Sequence, residues 1–152
     1  DNIAYGLPFT EARSVEEAAR RAQLGTDLAE LPDGFDTVVG ERGVMLSGGQ
    51  RQRTALARAL ALGSRPSVLI LAATLSAVDA RTADAIQREL FEGFTDRTVI
   101  VGASRVNTVQ HCEQVLVQDE GGLVGRGGHL GLVAAGGLYA RLAAANPKPR
   151  AP

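Results

Sequence analysis

LSGGQRQRTALARALAL, residues 46–62, is the stretch on which the rest of the chain depends. Ser47 is suited to the N-cap of a helix, and Gln50, three residues later, completes a capping box. Gly48 and Gly49 then occupy the first helical positions, where backbone N–H groups have no acceptor within the helix. Because glycine has no side chain, an anion can approach these N–H groups, and the helix dipole favours it. A capped helix that merely begins with two glycines is the alternative, and the rest of the sequence has to decide.

The helix that follows this motif is predicted to bury one side. Four apolar positions should face inward: Ala55, Leu56, Ala59 and Leu60. Three basic positions should be available to solvent or partners: Arg51, Arg53 and Arg58. Gly63 suits the C-cap of this helix, and Pro66 would stop it.

An alternation of strands and helices follows. Residues 67–71, SVLIL, form a continuous apolar run that is typical of a parallel strand buried on both faces. Residues 80–91 predict a helix with Ala83, Ile86 and Leu90 at core spacing, and residues 98–101, TVIV, predict a second buried strand. This order predicts an α/β fold with parallel strands.

The remaining elements are shorter. Residues 14–24 predict a helix that begins with a second capping box, Ser14 to Glu17, and residues 26–31 predict another short helix. Residues 114–118 and 123–126 flank Gly121-Gly122, which indicates a β-hairpin. Residues 130–135 and 138–145 predict two closing helices, and the Pro-rich residues 146–152 predict a solvated tail.

Composition excludes several classes of function. A net charge of −1 gives no reason to expect nucleic-acid binding. Cys112 is alone, which excludes an internal disulfide and favours a reducing compartment. There is no run of eighteen apolar residues, so we expect any membrane-spanning part to lie outside this sequence. His111 and His129 lack metal-ligand spacing, and Cys112 is expected to be a small, buried or half-buried residue without a catalytic role.

Five segments of the chain, in order, resemble ATP-binding cassette (ABC) transporter ATPases of the exporter type. NIAYG at 2–6 resembles the segment just after the family's Q-loop, and VGERG at 39–43 resembles the X-loop. LSGGQ at 46–50 resembles the signature motif, and SAVD at 76–79 resembles the D-loop. GGLY at 136–139 resembles the usual start of the family's C-terminal helix. The resemblance implies a partial P-loop NTPase (RecA-like) core with the ABC helical subdomain, missing the P-loop strand. It divides the chain into a helical subdomain and signature helix at about 1–65 and core elements at about 66–145.

The chain departs from the family at the residues that would bind and hydrolyse its own ATP. A P-loop needs a Lys that reaches the β- and γ-phosphates, and the only Lys, Lys148, stands between two prolines. Ala72 and Ala73 stand where the resemblance places the two Walker B carboxylates, and Ser104 stands at the switch histidine. Methyl groups neither hold Mg²⁺ nor polarise water, so this half of the site is predicted to be catalytically degenerate and to hold no metal.

The other half of the site matches the family. The resemblance implies that Ser47, Gly48, Gly49, Gln50 and Asp79 face ATP in trans, with Mg²⁺ and the P-loop supplied by a second cassette. Asp79 could equally serve as the N-cap of the helix from residue 80, and both roles can coexist. The implied partners are that second cassette and a transmembrane domain, and the implied location is the cytoplasmic face of the cell membrane. The alternative is a non-enzymatic remnant that acts only as a packing or interaction module.

Overall fold

The computed structural model describes residues 1–5, 7, 12–41, 44–63, 67–72, 77–93 and 97–145. The chain forms two compact units, Asp1–Ile100 and Val101–Pro152. Both contain helices and strands, so the predicted α/β class is confirmed. Among the described residues, no helix combines the length and the apolar character needed to cross a membrane. The predicted tail at 146–152 lies outside the described residues.

The first unit is mainly helical up to its sheet. Its elements are α1 (Ala12–Arg21), α2 (Gly25–Glu30), a 3₁₀ turn (Gly34–Asp36), α3 (Gly48–Ala61), β1 (Val68–Ala72) and α4 (Ala80–Gly93). Strand β2, Thr98–Gly102, pairs with β1 in a two-stranded sheet. The signature helix, the D-loop helix α4 and the strand between them therefore appear in the predicted order.

Helix α3 packs against α1 and buries one stripe of its surface. Leu56 and Leu60 are buried as predicted, and they are joined by Ala57 and Ala61. Ala55 is exposed, so its predicted inward position is wrong. The buried stripe follows the pairs 56/57 and 60/61, and their spacing of four residues keeps both pairs on one face of the helix.

The second predicted capping box is wrong. Helix α1 begins at Ala12, so Ser14 lies within the helix and cannot cap it. The Glu17 carboxylate pairs with Arg20 one turn later, at 2.8 Å, and this guanidinium lowers the pKa of Glu17. A Ser and a Glu three residues apart can also lie in the middle of a helix. There the Glu can pair with a basic residue three positions further on, as Glu17 does with Arg20, and it does not complete a capping box.

Strand β1 is buried on one face only, which corrects the prediction of two buried faces. Leu69 and Leu71 are buried, whereas Val68 is 49% and Ile70 67% exposed. Ile100 of β2 is also half exposed. Successive side chains of a strand point to opposite faces, and within the described part of the chain the sheet is covered on one of them. Helix α4 behaves as predicted, since Ala83, Ile86 and Leu90 are all buried.

The second unit is built on the predicted hairpin. β3 (Val115–Asp119) pairs antiparallel with β4 (Gly122–Gly127), and the two turn residues, Glu120 and Gly121, both have positive φ. Positive φ at both central positions is the geometry of a tight hairpin turn. Three helices pack on the hairpin: α5 (Val106–Val109), which was not predicted, α6 (His129–Ala134) and α7 (Leu138–Ala145). The core of this unit is formed by Val106, Val115, Val117, Leu132 and Tyr139.

Candidate functional site

The signature helix begins with the predicted capping box. Ser47 is extended, with φ −63° and ψ 166°, and α3 starts at Gly48. The Gln50 backbone N–H donates to Ser47 Oγ at 3.2 Å, and the Ser47 N–H donates to Gln50 Oε1 at 2.8 Å. Each of the two side chains thus accepts one backbone hydrogen bond at the helix start. A serine hydroxyl that accepts one hydrogen bond can still donate its hydrogen to a group outside the helix.

The N–H groups that open the helix stand beside this hydroxyl. An α-helix leaves its first N–H groups without an acceptor inside the helix, and its dipole makes this end partly positive. Gly48 and Gly49 place no side chain over them. The arrangement offers a hydroxyl and backbone donors to an anionic oxygen, which fits a phosphate group.

A contact that the sequence did not reveal anchors this helix start to α2. Asp27 Oδ1 accepts from Gln50 Nε2 at 3.3 Å, and Asp27 Oδ2 accepts from Arg53 Nε at 3.1 Å. The side chains of Asp27 and Arg53 are only 15% and 12% exposed. The prediction that Arg53 is available to solvent or partners is therefore wrong, since its guanidinium donates to the partly buried Asp27 carboxylate. No local pattern could find this pair, because its members are 26 residues apart.

The other two basic positions of α3 also contact their own chain. Arg51 Nη1 donates to the Leu46 carbonyl at 2.6 Å, next to the motif. Arg58 Nε donates to the Asn2 carbonyl at 2.7 Å, and its guanidinium lies 5.5 Å from the ring centre of Tyr5. Asn2 and Tyr5 belong to the first family-like segment, so α3 holds that segment through Arg58.

Asp79 is the N-cap of α4, which was the second role predicted for it. Its Oδ1 accepts from the Thr82 backbone N–H at 3.0 Å. This backbone donor, with the Thr82 side chain, holds the pKa of the Asp79 carboxyl below its usual value. The D-loop position is thus ionised and fixed at the start of a helix, where the dipole also favours a negative charge. Ser76, the first residue of the D-loop segment, lies outside the described residues.

The signature and the D-loop lie against each other within this chain. The Ala77 N–H donates to Gln52 Oε1 at 3.1 Å. A Cβ on Gly49 would lie 3.0 Å from the Ala77 carbonyl oxygen, whereas one on Gly48 would lie 3.7 Å from the Ala77 Cβ. Gly49 therefore permits a close backbone approach as well as an open helix start. The structure brings together two segments that are about thirty residues apart in the sequence.

Two of the three positions predicted to be degenerate are among the described residues, and they lie at or just beyond strand ends. Ala72 is the last residue of β1 and is exposed, and Ser104 lies two residues after β2, also exposed. Ala73 lies outside the described residues. The carboxyl ends of strands are where α/β proteins place catalytic groups, and Ala72 offers a methyl group there.

The remaining residues considered in the sequence analysis, Cys112 and His129, contribute to the packing of the fold. Burial raises the pKa of the half-buried Cys112 thiol, which disfavours the thiolate. His129 Nδ1 lies 2.9 Å from the Tyr139 hydroxyl and joins α6 to α7. Among the residues that the structure describes, no group of three or more His, Cys, Asp or Glu could hold a metal ion. In the X-loop segment, Val39 forms an isolated bridge with Val44, while residues 42–43 lie outside the described part.

Comparison with known proteins gives relatives of one kind. The chain is 45% identical over 141 residues to the uncharacterized ABC transporter ATP-binding protein YknU of Bacillus subtilis, covering 93% of this chain and 24% of YknU. It is 45% identical over 142 residues to the human ABC-type oligopeptide transporter ABCB9, covering 93% of this chain and 18% of ABCB9. It is 47% identical over 143 residues to the ATP-dependent lipid A-core flippase of Shewanella oneidensis, covering 93% of this chain and 24% of the flippase. No protein-family model matches.

A solved structure agrees with these relatives. A bacterial Atm1-family ABC exporter with ATP bound matches 95% of this chain with a TM-score of 0.86 and 40% identity, over 25% of its own length. The chain spans about a quarter or less of the length of the curated relatives it matches. Over 93% of its length, the chain is therefore homologous to part of the ATP-binding proteins of exporter-type ABC transporters, the family that its motifs resemble.

Proposed function

We propose that the chain is part of the ATP-binding cassette of an ABC exporter and contributes its signature in trans to ATP bound by a partner cassette. The single observation that carries this proposal is the complete capping box at Ser47 and Gln50, with its two hydrogen bonds. It holds a hydroxyl and two glycine N–H groups at one end of a 14-residue helix. Such an end suits a phosphate that is already bound elsewhere, because helix-terminus donors alone bind nucleotides weakly.

The residues have distinct roles in this proposal. The Ser47 hydroxyl and the N–H groups of Gly48 and Gly49 would contact the γ-phosphate, and Gln50 keeps Ser47 in place. Asp79 would face the same partner site from the start of α4 while it caps that helix. ATP supplies the phosphoryl group whose hydrolysis drives the family's transporters, and Mg²⁺ would be held by the partner cassette. In the chain itself, backbone dipoles stabilise charge without needing to reorganise.

The chain's own nucleotide site is proposed to be inactive. Ala72 and Ala73 offer methyl groups where carboxylates would act, and the Ser104 hydroxyl cannot carry the charge of an imidazolium. We place the cassette at the cytoplasmic face of a membrane, attached to a transmembrane domain. Residues 1–65 would act as the helical subdomain with the signature helix, and residues 66–145 as core elements.

The test uses a catalytically complete partner cassette and measures phosphate release with and without this chain. Gly49→Asp should abolish the stimulation, because a carboxylate beside the γ-phosphate costs several kcal/mol, on the order of an unpaired buried charge. Gly48→Asp is the companion variant, since its Cβ would meet Ala77 at an ordinary 3.7 Å and leave the D-loop in place. Gly131→Asp in α6 is the matched control, because a Cβ there has nothing within 4 Å.

The expected result is loss of stimulation in Gly48→Asp and Gly49→Asp but not in Gly131→Asp, with unchanged circular dichroism. The chain without a partner should release no phosphate above background. Stimulation by Gly48→Asp equal to that of the unsubstituted chain would overturn the proposal and favour the alternative, a packing or interaction module.

A further inference from the structure

We propose that Asp27 is a positioning residue for the signature: its carboxylate sets the orientation of the Gln50 amide and, through it, the donors that open α3. This inference rests on the proposed function, since those donors act on a partner's ATP. Asp27 lies on α2, 23 residues before Gln50, and outside every family-like motif in the sequence. It would contact no nucleotide itself.

The Gln50 amide is held between two groups that require opposite ends of it. Its Oε1 accepts from the Ser47 N–H at 2.8 Å, and its Nε2 donates to Asp27 Oδ1 at 3.3 Å. An ionised carboxylate only accepts hydrogen bonds, and a backbone N–H only donates them. If the amide turned by half a rotation, it would place NH₂ against the Ser47 N–H and oxygen against oxygen at Asp27. Asp27 therefore selects the one orientation that completes the capping box.

The position of Asp27 is itself fixed by Arg53. Asp27 Oδ2 accepts from both Nε and Nη2 of the guanidinium, at 3.1 and 2.5 Å. Both side chains are nearly buried, where a charge-assisted pair has little competition from water. Arg53 is on the same helix as Gln50, one turn further along. The pair thus joins α2 to α3 and holds the carboxylate at the level of the signature.

The Gln50 side chain is only partly buried, and open space borders this residue. A cavity of about 590 Å³ borders both Asp27 and Gln50, together with Leu46 and Thr54. We therefore attribute the orientation of the Gln50 amide to its hydrogen bonds with Ser47 and Asp27. Without Asp27, the capping box would be populated for only part of the time, and the hydroxyl and N–H donors of Ser47 and the glycines would lose their fixed direction.

The experiment combines two measurements on the whole chain. Asp27→Ala removes the acceptor, Asp27→Asn keeps the shape and one acceptor oxygen, and Glu30→Ala removes an exposed carboxylate from the same helix as a matched control. The first measurement is amide hydrogen exchange of Ser47 and Gln50, whose N–H groups are hydrogen-bonded in the capping box, with residues 138–145 as an internal reference. We expect about tenfold faster exchange of these two amides in Asp27→Ala, a smaller increase in Asp27→Asn, and no change in Glu30→Ala.

The second measurement is the ATPase activity of the complete partner cassette. Asp27→Ala should lower the stimulated kcat about tenfold, and Glu30→Ala should leave it unchanged. Combining Asp27→Ala with Gln50→Ala should add little to either single loss, because both act on one hydrogen-bonded unit. A purely structural role for Asp27 would instead give additive losses. If Asp27→Ala fails to fold by circular dichroism, Asp27→Asn decides.

The outcomes separate this inference from the function on which it rests. Unchanged exchange of the Ser47 and Gln50 amides overturns the positioning role, whatever the ATPase activity. Faster exchange with full stimulation, while Gly48→Asp abolishes stimulation, also overturns it and leaves the trans function standing. Full stimulation by both Asp27→Ala and Gly48→Asp overturns the trans function, and Asp27 then has no reaction to serve.

Discussion

Adding one methyl group to each signature glycine in turn tests the packing of the signature against the D-loop. In Gly49→Ala, the new Cβ would lie 3.0 Å from the Ala77 carbonyl oxygen and 3.3 Å from Arg53 Nη1. In Gly48→Ala, the closest atom would be the Ala77 Cβ at 3.7 Å, an ordinary van der Waals contact. The long Arg53 side chain can yield, but the Ala77 backbone cannot move without straining its hydrogen bond to Gln52.

The expected difference in stability between the two variants follows from two opposing contributions. Replacing Gly by Ala in a helix stabilises it by about 0.5–1 kcal/mol, and this gain is similar for the two neighbouring positions. Overpacking by one methyl group costs about 1–3 kcal/mol, and it applies to Gly49 alone. The helix term cancels in the comparison, so Gly49→Ala should be less stable than Gly48→Ala by about 1–3 kcal/mol. For a chain of this size, that corresponds to a difference in Tm of about 2–4 °C per kcal/mol.

The assay is thermal unfolding of the unsubstituted chain and both variants, followed by circular dichroism at one protein concentration. Gly48→Ala should melt at or slightly above the temperature of the unsubstituted chain, and Gly49→Ala should melt below Gly48→Ala. Amide exchange at Ala77 should accelerate in Gly49→Ala only. Equal Tm values for the two variants, with equal exchange at Ala77, would refute the close approach of the D-loop to Gly49.

Two further predictions concern the D-loop and the sheet. The pKa of the Asp79 carboxyl in the folded chain is below its ordinary value of 3.8, so ionised Asp79 should stabilise the fold above that pH and lose this effect as the pH falls through the folded pKa. The difference in Tm between the unsubstituted chain and Asp79→Ala should therefore be full at pH 7 and shrink below about pH 3.8. A difference in Tm that does not depend on pH would contradict the role of Asp79 as the N-cap. Ile70→Thr should reduce self-association in light scattering without lowering Tm, because Ile70 is 67% exposed on a strand and Thr keeps β-propensity. Leu69→Thr, at a buried position of the same strand, should lower Tm, and equal effects of the two variants would argue against one-sided burial of β1.

Features that depend on neighbours a few residues apart could be predicted from the amino-acid sequence. The capping box of Ser47 and Gln50 spans one helical turn, and the Asp79 cap reaches only to Thr82. The spacing of Ala83, Ile86 and Leu90 places them on one face of any helix that forms there. The motif order was equally visible, and the relatives confirm the family that it indicates.

Local patterns failed where two arrangements fit the same spacing. Ser14 and Glu17 match a capping box, but α1 starts at Ala12, and Glu17 pairs with Arg20 instead. Both interactions span three residues, so their spacing cannot distinguish them. The apolar run at 67–71 likewise fits a strand buried on one face or on two, because the pattern does not say which elements cover it.

The distant groups that meet at the signature could be identified only from the folded chain. Arg53 was predicted to be available to solvent or partners, but α2 places the Asp27 carboxylate beside it. The sequence also does not show that a Cβ on Gly49 would lie 3.0 Å from the Ala77 carbonyl oxygen. These contacts join residues 26 and 28 positions apart, across separate helices and loops. Their partners are selected by how α3 packs against α2 and the D-loop. Helical periodicity specifies which residues share a face, but the packing of whole elements determines what that face touches.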